Sequence, residues 1–266
     1  MFDCFTELII CLSCLLQIFN MITLQIHFMF VIGEIGVNWD GDFEIAREMM
    51  HQSKMLGLNA VKFQSFTLDM IKSHPESNRL IRSSINKQNV DKIHQISQEI
   101  GIEWFSTPMY VEAIDMLEPY VHRYKIREFD GRSIVNNFSS DLFNLIYKKN
   151  KPIYISSETI PTSCKFYNDP NIKWLYCVPK YPCKLNEIDF TKLKYFDGFS
   201  NHCNEVEGPI SAIKEGIEVL EIHITSDKNK DFVDNNVSFD YDDLKDIMKA
   251  AKLSSTRKRV DHEQLS

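Results

Sequence analysis

Two histidines carry the first chemical signal: His202, closing Phe199-Ser200-Asn201-His202, and His223, closing Glu221-Ile222-His223. Each ends a short apolar run that reads as a buried strand, and a helix-like stretch separates the two. Imidazoles at neighbouring strand ends are a platform for a divalent metal. The second signal is cationic. Lys62 interrupts Ala60-Val61-Lys62-Phe63, Lys125 interrupts Tyr124-Lys125-Ile126, and Arg127 follows. A lysine in so apolar a strand must meet an anion or bear its desolvation, so these three cations describe a pocket for a multiply charged anion. The bland alternatives are a structural bridge from a lysine to Glu34 and a hydrogen-bonded core histidine.

The elements that must position these groups alternate. Residues 28–32, 60–64, 103–107, 123–126, 152–156, 172–178, 197–200 and 219–224 read as strands, most of them continuous apolar runs suited to burial on both faces. Asp42 caps a first helix that Gly57 ends. Further helices fall at 90–100, 111–117, 141–149, 210–214 and 241–253, while 65–89 reads as a long polar loop with a helical turn. This rhythm predicts a single-domain (β/α)8 TIM barrel over 28–254, with an apolar extension at 1–27 and a loose polar tail at 255–266. An open doubly wound sheet is disfavoured, because Gly33-Glu34-Ile35-Gly36-Val37-Asn38 is not a glycine-rich phosphate turn.

In such a barrel the chemistry sits where strands end. The polar residues there are Glu34 and Asn38, Lys62 and Gln64, Thr107, Lys125 and Arg127, Ser156, Tyr181, Ser200, His202 and His223. The serine and threonine hydroxyls supply donors for phosphate or carboxylate oxygens.

The chain has 266 residues, 44% of them hydrophobic, and a net charge of -7, which argues against nucleic acid as a partner. Its seven cysteines are an odd number at irregular spacing, and the one close pair, Cys11 and Cys14, sits in an apolar run with no second pair nearby, which fits reduced thiols in the cytoplasm. The apolar run at 8–16 lacks the basic start of a signal peptide. Gln17, Asn20 and Gln25 break it as a spanning helix, so no membrane association is expected. Three readings stay open: sequence upstream of a start at Met21 or Met29, an added packing helix, or a weak anchor, with the first two favoured.

Taken in order, Gly33-Glu34-Ile35-Gly36-Val37-Asn38, Val61-Lys62-Phe63-Gln64, Ser106-Thr107-Pro108, Tyr124-Lys125-Ile126, Tyr181-Pro182, Gly198-Phe199-Ser200-Asn201-His202 and Glu221-Ile222-His223 resemble the sialic acid synthases, including the pseudaminate and legionaminate synthases. The resemblance covers about residues 30–223. It implies a TIM barrel that condenses phosphoenolpyruvate with an N-acetylated aldose, such as N-acetylmannosamine, and releases phosphate. It also implies a divalent ion, Mn2+ or Mg2+, held by His202 and His223 to polarise the sugar aldehyde. Lys62 and Lys125 would bind phosphoenolpyruvate, with hydrogen bonds from Thr107, Ser156 and Ser200. Gln64 and Tyr181 would line the sugar side, and Glu34 would activate the water that adds at C2.

The chain departs from that pattern at several points. The family's Ser-Asp-His is Ser200-Asn201-His202, which removes a charge expected to support the metal. Arg127-Glu128 replace a small residue and a serine, so Glu128 is expected to turn away while Arg127 takes over anion binding. Members usually carry a C-terminal antifreeze-like domain that covers a partner's barrel. The sequence ends before it, so a homodimer or a separate capping protein is expected. Two other readings stay open: a degenerate barrel serving as a binding or regulatory subunit, and another metal-dependent aldolase that takes pyruvate.

Overall fold

The computed structural model describes residues 29–264; the expected extension at 1–27 lies outside them. Eight parallel strands form one sheet in the order β3-β2-β1-β8-β7-β6-β5-β4. They are β1 (Phe30–Gly36), β2 (Ala60–Ser65), β3 (Glu103–Pro108), β4 (Tyr124–Ile126), β5 (Ile153–Ser157), β6 (Ile172–Cys177), β7 (Gly198–Asn201) and β8 (Val219–His223). The intervening helices are α1 (Phe43–Leu56), α2 (Val90–Ile100), α3 (Val111–Leu117), α4 (Glu128–Val135), α5 (Asp141–Lys148), α6 (Glu207–Lys214) and α7 (Tyr241–Gln264). The predicted (β/α)8 barrel is the observed fold.

The strands form because their residues are apolar on both faces: every residue of β4, β5, β7 and β8 is buried. Outward side chains such as Val61, Phe63 and Trp104 pack under the helices in one continuous core. Inward positions, two residues apart, converge on the barrel axis. Asp42 caps α1 by accepting from the Glu44 and Ile45 amides at 2.8 and 3.4 Å.

The ring is not closed by backbone pairing, since β3 and β4 end the strand order. A side-chain latch spans the gap at its lower edge. Arg123, just before β4, makes a bidentate pair with Glu103 of β3 at 2.6 and 3.0 Å and lies over the Phe30 ring.

Three expectations change. Strand β1 runs on to Gly36 rather than stopping at 32, which puts Glu34 inside the strand. A register shift falls between Glu34 and Gly36. Gly36 sits at φ 55°, and a Cβ there would lie 3.2 Å from Glu34 Oε1, so both the backbone and the site favour glycine. Helix α4, which contains Gly131, was not expected. Here that glycine permits close packing: a Cβ would stand 2.1 Å from the Ser156 carbonyl oxygen of β5. The closing helix extends to Gln264, so the segment expected as a loose tail from 255 has a helical backbone.

Candidate active site

The C-terminal ends of the strands surround a cavity of about 370 Å³. Period-two alternation aims Lys62 and Gln64 of β2, Ser156 of β5, and Glu221 and His223 of β8 into it. Lys62 and Lys125 are almost fully buried. They reach one carboxylate: Lys125 Nζ lies 3.1 Å from Glu221 Oε1 and Lys62 Nζ 3.9 Å from Glu221 Oε2. Lys62 also pairs with Glu34 Oε2 at 2.8 Å, and Gln64 donates to Glu34 Oε1 at 2.8 Å.

The three expected hydroxyl groups join this network. Lys62 donates to Thr107 Oγ1 at 3.1 Å and Lys125 to Ser156 Oγ at 2.7 Å. Each hydroxyl that accepts from an ammonium keeps its own hydrogen to offer an anion. Ser200 donates to Glu221 Oε1 at 2.8 Å. Arg127 lines the cavity with its guanidinium held to Asp130 at 2.7 Å.

Burial opposes charge on all of these groups, and neighbours decide which ones keep it. Burial would raise Glu221, but Lys125 and Lys62 overcome it and hold the carboxyl down at about 2. Burial would lower Lys62, and Glu221 and Glu34 turn it upward instead. Glu34 goes the other way, up to about 7, through burial and despite Lys62, with the charge of Glu221 adding to the rise. Lys62 is nearer to Glu34, yet Glu221 is the settled anion, because it has two cations and a serine donor. Glu34 is therefore the carboxyl that can exchange a proton near neutrality.

The imidazoles sit on the other wall. Their ring centroids are 5.4 Å apart, and the Tyr181 ring lies 3.9 Å from that of His202, tilted by 34°. Burial lowers His202 to about 4 and His223 well below its ordinary value, so both rings are neutral. His202 Nδ1 lies 2.9 Å from the Val178 carbonyl oxygen. A proton on Nδ1 satisfies that contact and leaves Nε2 as a lone pair, the arrangement usual for a metal ligand. His223 Nδ1 is buried without a hydrogen-bond partner and lies 3.6 Å from Asp234 Oδ2. An orphaned buried nitrogen beside a carboxylate and a second neutral imidazole fits a divalent ion. Among the described residues no three His, Cys, Asp or Glu side chains converge to hold an ion unaided. The pair therefore fits an ion whose remaining positions are filled by water or substrate oxygens.

Asn38 is not among the residues that line the cavity. It is fully buried, and its amide donates to the Ile224 carbonyl at 3.0 Å and to Ser238 Oγ at 2.9 Å while accepting from the Asp234 amide at 3.1 Å. It brackets the loop after β8, since a strand-end position fixes where a residue is and not which way its bonds point. Asn201 is likewise spent on backbone hydrogen bonds. Its side chain bonds the Cys203 backbone at 2.6 and 3.3 Å and shapes the turn that carries His202.

Two residues escaped sequence reasoning. Glu221 was legible, lying two positions before His223 in Val219-Leu220-Glu221-Ile222-His223 and so on the same inward face. Asp234, held up at about 6 by burial, comes from a polar loop with no periodic signal.

Paired lysines, an ionised carboxylate and two neutral imidazoles thus line one cavity at the C-terminal mouth of a (β/α)8 barrel. Residues 49–260 match the NeuB family, and the chain belongs to that family. It is 26% identical over 242 residues to an uncharacterized protein of Methanocaldococcus jannaschii, an alignment covering 84% of this chain and 70% of that protein. It is 25% identical over 260 residues to the N-acetylneuraminate-9-phosphate synthase of Homo sapiens, covering 85% of this chain and 70% of the relative. The crystal structure of the N-acetylneuraminic acid synthetase of Leptospira borgpetersenii, in complex with citrate, shares the fold. Its TM-score is 0.70 at 23% identity, covering 86% of this chain and 84% of that one. No described helix is long and apolar enough to cross a membrane.

Proposed function

We propose that this chain condenses phosphoenolpyruvate with an N-acetylated aldose to give a nonulosonic acid and phosphate. The observation that carries the reading is the junction of Lys62, Lys125 and Glu221, in one cavity with the His202–His223 pair. Family membership and relatives that include an N-acetylneuraminate-9-phosphate synthase support it. A cavity of about 370 Å³ lies within the usual range for small-molecule sites, roughly 300–1,000 Å³.

In this reading Lys62 and Lys125 bind the carboxylate and phosphate of the donor, with hydrogen bonds from Thr107, Ser156 and Ser200. Gln64 and Tyr181 face the sugar. His202 and His223 would hold Mn2+ or Mg2+, which when bound supplies Lewis-acid polarisation of the aldehyde oxygen. Glu34, poised near neutrality, takes a proton from the water that adds at C2 of phosphoenolpyruvate while C3 attacks the aldehyde carbon. The aldehyde oxygen gains a proton, and loss of phosphate from C2 leaves the keto acid. The two lysines are in place for the charge that develops on the leaving phosphate.

The test is phosphate release from phosphoenolpyruvate with N-acetylmannosamine or a 2,4-diacetamido hexose, in the presence of Mn2+, with the product identified by mass. Turnover lost in His202→Ala and on chelation supports the reading; no turnover with any such sugar counts against it. The departures from the family pattern at Glu128 and Asn201 motivate a second reading, a barrel that binds the anion without turning it over. Calorimetric binding of phosphoenolpyruvate without metal dependence or product would select it.

A further inference from the structure

Glu128 is an acidic residue in a wall built for an anion. It lines the cavity together with Lys125 and Ser156, and its side chain is only 8% exposed. Helix α4 fixes it there. Gly131, on the next turn, packs so closely on the Ser156 carbonyl that no Cβ fits, which ties the first turn of the helix to the residue that accepts from Lys125. A carboxylate facing a bound phosphate at this depth would repel it with little screening.

The carboxylate is, however, already engaged. Arg132, one helical turn on, donates from Nε to Glu128 Oε1 at 2.6 Å and to Oε2 at 2.8 Å, so one N–H bridges both oxygens. Arg132 is half exposed, whereas Glu128 is buried. The pair has i,i+4 spacing, with the acid N-terminal to the base, the favourable order on a helix. We infer that Arg132 is a positioning residue for donor binding: it draws the Glu128 carboxylate away from the cavity and cancels its charge, which keeps the Lys125 end of the site open to phosphate. This rests on the phosphoenolpyruvate reading for the donor's identity, and on the geometry of α4 for the rest. It also gives the Arg127-Glu128 departure a physical account, because an acid at this position is tolerable only with a partner four residues on.

The test uses the full chain with Mn2+ and compares the parent protein, Arg132→Ala, Arg132→Lys and the double variant Arg132→Ala with Glu128→Ser. Arg132→Ala raises KM for phosphoenolpyruvate about tenfold, with kcat and KM for the sugar within about twofold. Arg132→Lys lies between it and the parent. The double variant returns KM to the parent value, because the unpaired carboxylate is gone; simple damage to the helix would not be repaired by a second substitution in it. Calorimetry with inorganic phosphate gives the same order and needs no turnover. An unchanged KM in Arg132→Ala, or a double variant no better than the single one, overturns the inference while leaving the synthase reading intact. Phosphate binding in the expected order by a protein that turns nothing over sustains the inference and removes the synthase reading. A parent protein that binds neither phosphate nor phosphoenolpyruvate removes both.

Discussion

Lys125 and Glu221 meet at 3.1 Å across the axis of the barrel, although their strands, β4 and β8, are separated in the sheet by β5, β6 and β7. Nearly opposite walls are thus joined by one ion pair that lines the cavity. The same carboxylate faces Lys62 at 3.9 Å and accepts from Ser200 at 2.8 Å. It fixes where both cationic groups sit before any ligand arrives.

Glu221→Gln keeps the shape and removes the charge. Two buried ammonium groups then lose their shared counter-ion, and breaking such a pair costs on the order of 3–5 kcal/mol. The expected result is a lower urea midpoint with an unchanged denaturant slope. Phosphoenolpyruvate turnover falls by about a hundredfold or more. A variant with parent-like stability would show that the lysines do not depend on Glu221.

Asn38→Ala removes three hydrogen bonds from a buried bracket and leaves partners on the loop after β8 unsatisfied. The expected loss is about 1–3 kcal/mol in urea unfolding. Asp234 is freed at the same time, so Mn2+ affinity weakens several-fold while phosphate affinity holds. Calorimetry with each probe separately checks this split; an equal loss for both ligands would place Asn38 at the anion instead.

Glu34 sets a pH dependence of unusual sign for a carboxyl. Its folded value, about 7, lies above the ordinary value of 4.5, so the folded protein holds a proton that the unfolded chain has released. Its contribution to stability is fully present below about 4.5 and is lost as pH rises through about 7. Urea midpoints measured in metal-free buffer should fall between pH 5 and 7.5 relative to those of Glu34→Gln. Turnover should rise over the same range as the base ionises. Parallel stability curves for the two proteins would mean that Lys62 holds Glu34 ionised throughout.

Much of this architecture was legible in the residues themselves. Apolar runs with a single lysine, such as Ala60-Val61-Lys62-Phe63, marked both a buried strand and a charge that needs a partner, and the glycine after α1 marked its end. What was not legible depends on direction and tertiary packing. Asn38 stands beside the correct strand end but spends its amide on the Ile224 and Ser238 bracket. Glu221 lay in plain view, overshadowed by the histidine two positions later. Helix α4 was hidden because Gly131 serves close packing on β5, whereas a glycine in a short polar stretch ordinarily signals a turn.

The gap between β3 and β4 has a consequence for how ligand and protein stabilise one another. Thr107 stands on one bank of that gap and Lys125 on the other, with the Arg123–Glu103 latch far below them. An anion held by both side chains completes the circumference at the rim, as a keystone closes an arch. Amide hydrogens of residues 103–107 and Tyr124–Ile126 should then be the ones whose exchange slows most when phosphate binds.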